Sequence, residues 1–166
     1  PLMRLGLCSD THDNLGVARG AVETFETDGV DAIVHCGDIV APFTAAEFDV
    51  GIDFHAVRGN NDGEPALAVA VDAFGTYHGE SAHLTFDGVE VAVYHGTSER
   101  LVEALVGCGD YDYVVRGHTH ERTHEERGDT VHLNPGGLPF PGADDTYHVA
   151  ILDTDTGEVA FHEVDP

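Results

Sequence analysis

Five short apolar runs, each ending in Asp, His or Asn beside a glycine or serine, limit most strongly what this chain can fold into. The runs are Met3–Cys8, Ala32–Cys36, Phe54–Val57, Val89–Tyr94 and Tyr113–Arg116, each with the length of a strand. Between the first two, Asn14–Thr27 places Leu15, Ala18, Val22 and Phe25 at steps of three and four, the period of an amphipathic helix. Glu99–Val106 and the shorter Phe43–Phe48 read the same way. Asp87-Gly88 turns Ala82–Phe86 into Val89–Tyr94 as a hairpin. Asp155-Thr156-Gly157 does so for Tyr147–Asp153 and Glu158–Glu163. Strands alternating with helices imply an α/β layered fold. With 166 residues, no repeat and no linker, one domain over 1–166 is expected.

The polar blocks that follow the runs are Ser9-Asp10-Thr11-His12, Gly37-Asp38, Gly59-Asn60-Asn61-Asp62, His95-Gly96 and Gly117-His118-Thr119-His120. Open α/β sheets bind ligands at the carboxyl ends of their strands, so these blocks are expected to line one crevice. Asp10 and His12 stand two apart, and in an extended segment both would face one ion. His118 and His120 share that spacing and can serve one ion or divide between two. Asp38 has two oxygens with which to bridge, Asn60 offers a carbonyl oxygen and His95 a nitrogen. Singly, such blocks are ordinary turns. Together they suffice for two divalent cations about 3.5–4 Å apart with a shared hydroxide. Oxygen and nitrogen donors without thiolate suit Mn²⁺, the favoured ion, as well as Fe, Ni or Zn.

Charge narrows the setting. There are 31 Asp plus Glu against 7 arginines and no lysine, for a formal charge of -24, and the acids are dispersed rather than gathered in a tail. In molar salt the screening length falls to about 3 Å and such a surface becomes tolerable, so a halophilic protein is expected over an acidic mesophilic one. No basic face exists to displace counterions from nucleic acid. No run approaches the roughly 20 apolar residues of a membrane span, and no secretory signal opens the sequence. Three cysteines without a CxxC pair fit a reducing cytoplasm.

The ordered set of blocks resembles the calcineurin-like metallophosphoesterase superfamily, whose pattern is Asp-x-His, Gly-Asp, Gly-Asn-x-Asp or Glu, His, and Gly-His-x-His. Ser-Asp-Thr-His and Gly-Asn-Asn-Asp are most similar to the small prokaryotic YfcE-type phosphodiesterases. The resemblance runs from Met3 to Asn134-Pro135-Gly136 and the final hairpin. It implies a four-layer α-β-β-α sandwich and a phosphodiesterase acting on small phosphate esters. It further implies one metal on Asp10, His12, Asp38 and His120, and another on Asp38, Asn60, His95 and His118. Two cations less two carboxylates and a hydroxide leave about one positive charge, enough to attract an anionic ester locally. The composition is compatible with a homo-oligomer.

Two departures from the family pattern stand out. Asn61 occupies the place where many relatives carry a leaving-group His, and an amide is no general acid. No Arg follows Asn134-Pro135-Gly136-Gly137, so phosphate contacts from that loop are expected from backbone alone. Asp62 is expected to orient a metal-bound His or cap its turn. His35 reads as a core or supporting residue, and His124 and His132 as solvated or ion-paired on an acidic loop. Arg58 and Arg116 are expected to pair with acids. The rival reading is an interaction scaffold, as in a eukaryotic retromer subunit of this fold that has lost part of the metal set.

Overall fold

The computed structural model describes residues 3–166. Eleven strands and four helices are found among them, arranged as two stacked sheets with helices outside. The first sheet orders β11 (Val159–Glu163), β10 (His148–Asp153), β1 (Arg4–Cys8), β2 (Ala32–His35), β3 (Asp53–Ala56) and β4 (Thr76–Tyr77). Its β1 to β4 are parallel, with β10 and β11 antiparallel at one side. The second orders β5 (Ser81–Phe86), β6 (Val89–Tyr94), β7 (Tyr113–Val115), β9 (Thr130–Asn134) and β8 (Thr123–Arg127). Here β6, β7 and β9 are parallel and both edges antiparallel.

Period-two alternation explains the layering. In β1 and β2, Leu5, Leu7, Ala32 and Val34 point into a core between the sheets with Val91, Val93 and Val115. Cys8 and Ile33 point the other way, under α1 (Leu15–Asp28) and α3 (Pro65–Asp72). Helix α1 starts where the Asn14 side chain accepts the Val17 N–H at 3.1 Å, and it buries Val17, Ala18, Ala21, Val22 and Phe25. Helix α2 (Pro42–Ala45) and the turn after it add Ala45 and Phe48 to the same core. On the far face α4 (Glu99–Gly107) packs Val102 and Val106 against Ala92 and Val114. The four-layer sandwich expected from the resemblance is what forms.

Four elements lie outside the sequence reading. Residues 65–72 form α3, and β4 is a two-residue strand beside β3. Positions 123–134 are no loop but the β8–β9 hairpin. Strand β8 is exposed along most of its length, so it carries no apolar alternation to read.

Candidate metal centre

The carboxyl ends of β1, β2, β3, β6 and β7 converge at one end of the sandwich, joined by that of β9. The end of β1 locks to that of β2 through Asp10 N–H to Gly37 C=O at 2.9 Å and His12 N–H to Asp38 C=O at 3.0 Å. Gly117 N–H to His95 C=O at 2.9 Å joins β7 to β6. The pairs two residues apart do face one side, but not because the chain is extended. Asp10, His12, His118 and His120 have φ of 53°, 43°, 70° and 61°, and Asp38 has 59°. Asp, Asn and His tolerate this left-handed region better than other side chains, yet each costs on the order of 1 kcal/mol or more. Runs of such residues turn the chain sharply while aiming alternate side chains inward.

Glycine enforces close approach, as at Gly59 and Gly137. A Cβ on Gly59 would lie 2.1 Å from Asp38 Oδ1, and one on Gly137 would lie 2.7 Å from the Asp10 side chain.

Asp10 is fully buried at the centre. Its Oδ2 accepts from Ser9 Oγ at 2.6 Å and from His118 N–H at 2.9 Å. Its Oδ1 faces His120 Nε2 at 3.2 Å, His12 Nε2 at 3.6 Å and His95 Nε2 at 3.9 Å. Asp10 Oδ1 and His12 Nε2 are buried with no hydrogen-bond partner among the described residues. A buried carboxylate oxygen left so costs several kcal/mol unless a cation meets it, so the donor set fits a metal. Asp10, His12 and His120 present donor atoms within 4.8 Å of one another, as do Asp10, Asp38 and His95. Asp38 Oδ2 lies 3.3 Å from His12 Nε2 and 3.4 Å from His95 Nε2, so it too faces both groups. Asn60 Oδ1 sits 3.0 Å from His95 Nε2 and 3.1 Å from His118 Nδ1. All seven candidate ligands therefore meet here.

Backbone carbonyls orient two of the imidazoles. A carbonyl can only accept, so His95 Nδ1–H donates to Cys36 C=O at 2.8 Å and His120 Nδ1–H to Leu138 C=O at 2.6 Å. Each ring is left with an Nε2 lone pair turned to the site, the tautomer a ligand needs. Burial disfavours the charge on Asp10, but His12, His120 and His95 more than reverse this and hold it well below the usual carboxylate range. Burial likewise opposes the charge on Asp38, whereas His95 and Asn61 favour it and bring its pKa below the ordinary value. Burial lowers His95 and His120, yet the facing carboxylates raise both above the ordinary value.

Asp62 and Asn61 act on the site through Asp38. Asp62 accepts N–H groups of Asp38, Gly59 and Val40 at 2.8, 2.7 and 2.8 Å. It caps turns, one of which holds Val40 at φ 87°, an outlying value for a β-branched residue. Asn61 grips Asp38 twice, N–H to Oδ1 and Nδ2 to Oδ2, both at 2.8 Å. His35 is buried and pushed down to about 3 by burial; it accepts Gly37 N–H on Nδ1 and so donates from Nε2 to Thr11 Oγ1 at 3.1 Å. Arg116 is buried, bonded to the Gly96 and Gly117 carbonyls and to Glu99, while Arg58 reaches Glu80. His124 is exposed on β8, and His132 is buried on β9 beside Glu125 at 3.2 Å. The carbonyls of Cys36 and Leu138 escaped sequence reasoning, because a backbone acceptor has no residue-type signal.

The model of the calcineurin-like phosphoesterase superfamily domain matches residues 3–157. The chain belongs to that superfamily. Phosphodiesterase MJ0936 of Methanocaldococcus jannaschii is 36% identical over 162 residues, covering 87% of this chain and 93% of that protein. Phosphodiesterase YfcE of Escherichia coli K12 is 28% identical, covering 93% and 89%. A solved structure of an archaeal phosphodiesterase superposes with a TM-score of 0.90 at 32% identity, covering 98% of this chain and all of that one. The fold thus agrees with that of a phosphodiesterase.

Proposed function

We propose that this chain is a metal-dependent phosphodiesterase of small esters, with two divalent cations among Asp10, His12, Asp38, Asn60, His95, His118 and His120. The observation that carries this reading is Asp10 Oδ1, buried without a hydrogen bond and ringed by three imidazole nitrogens. Bound there, the cations would activate water for in-line attack on phosphorus and neutralise the charge gathering on its oxygens. Mn²⁺ is the favoured pair, though the donors also suit Fe, Ni or Zn. The chain's own part is to hold the donors. Asp62 fixes the Asp38 loop, Asn61 fixes the Asp38 carboxylate, and two backbone carbonyls fix His95 and His120. With its amide on Asp38, Asn61 supplies no proton to a leaving group, which favours esters whose leaving oxygen departs as the anion. All seven ligand positions carry able donors, which supports an enzyme over a scaffold. The dispersed acids support a salt-rich cytoplasm as the working environment.

Chelation should abolish hydrolysis of an aryl phosphodiester, and Mn²⁺ should restore it, with alkyl diesters slower by on the order of 10²-fold or more. Substoichiometric metal after reconstitution, with no hydrolysis of either ester, would favour the scaffold.

A further inference from the structure

Among the exposed large apolar side chains of the described residues, Phe140 is the one in ring contact with a candidate ligand. It is 47% exposed, and its ring stands edge-to-face with that of His120 at 4.6 Å between centroids. The segment carrying it is pinned at both ends. Leu138 donates its N–H to Asp10 C=O at 3.2 Å and accepts from His120 Nδ1, while Asp144 accepts from the N–H and Nε of Arg122 at 2.8 and 3.0 Å. Pro139 and Pro141 flank the phenylalanine and restrict its backbone further. An aromatic ring is thus held beside the candidate ligands with much of its surface open to water, where it gains nothing by itself.

The cations around the site point the same way. Arg58, Arg116 and Arg122, which adjoin the site loops, are occupied by Glu80, Glu99 and Asp144. Each of these guanidiniums already faces a carboxylate, which disfavours a second anionic group on the substrate.

We infer that Phe140 is a specificity-determining residue on which a planar group of the substrate, an aryl or nucleobase moiety on the phosphate ester, stacks beside His120. This rests on the phosphodiesterase reading. Stacking acts on binding, whereas leaving-group acidity acts on bond cleavage, so the two separate on ligands that cannot be cleaved.

The test is calorimetric binding of phenylphosphonate and methylphosphonate to the metal-loaded protein. Wild type should bind the phenyl compound about 5- to 150-fold more tightly, the scale of one stacking contact. Phe140→Ala should remove that difference and leave methylphosphonate binding and metal content unchanged. Phe140→Leu, which keeps an apolar neighbour for His120, should leave methylphosphonate binding and metal content unchanged and reduce the preference less than Phe140→Ala, and Phe140→Tyr should keep the preference. A preference that survives Phe140→Ala, or equal weakening of both phosphonates, overturns the assignment, the latter leaving Phe140 as a buttress for His120. Wild type that binds both alike while cleaving aryl diesters overturns the assignment alone. Wild type that binds neither and cleaves no ester overturns the phosphodiesterase reading with it.

Discussion

Carboxylates behave in two ways in this protein, and the contrast between the site and the surface shows why. Of 31 acids, only Asp10, Asp38 and Asp62 are buried. Each has named donors: Ser9 and His118 for Asp10, Asn61 twice for Asp38, and three backbone N–H groups for Asp62. The rest lie at or near the surface, where seven arginines cannot pair them all, and pairs such as Arg19–Glu47 and Arg127–Glu103 are solvent-exposed. Buried charges act through a low effective dielectric and are barely screened, whereas exposed ones answer to bulk ions. One residue type thus serves a local site and a global field.

Asp38→Asn should break the contrast most severely. It keeps the shape but removes a charge facing both donor groups. Metal affinity should fall by more than the roughly 10- to 100-fold that losing a supporting partner costs, and molar KCl should not restore it. Metal titration by calorimetry measures this, and recovery in salt would mean that Asp38 behaves as a surface acid.

Asp62→Asn comes next. An amide cannot accept all three N–H groups, so the Asp38 and Val40 turns should loosen. A loss of about 10- to 100-fold in metal affinity is expected. A loss as large as that of Asp38→Asn would place Asp62 among the ligands.

The surface half of the contrast is tested by salt. From dilute buffer to molar KCl the melting temperature should rise by on the order of 10 °C, as screening relieves self-repulsion of -24 formal charges. A flat profile would sink the halophilic assignment while leaving the site reading intact. Smallest of all, His124→Asn on exposed β8 should leave metal content and hydrolysis within about twofold, the scale of an ordinary surface change. A loss like that of Asp38→Asn would mean that the site lies elsewhere.

Much of the architecture was legible in the chain because burial writes itself as periodicity. Strands β1, β2, β3, β6 and β7 and helix α1 lie on apolar patterns, and the residues just beyond the strands named all seven candidate ligands before any geometry was known. Exposed β8 and two-residue β4 left no such pattern, since a strand solvated along its length gains nothing from alternation. What the sequence by itself determined was the identity of the donors and their order at strand ends. Only the tertiary structure decided their use. It replaced the expected extended segments with left-handed turns at Asp10, His12, His118 and His120, and added another at Asp38. It brought Asp62 and Asn61 onto Asp38, and it set the Cys36 and Leu138 carbonyls behind His95 and His120. The physical reason is that residue type fixes which atoms can donate or accept, whereas pairing across tens of residues depends on where the packed sheets bring their loop ends.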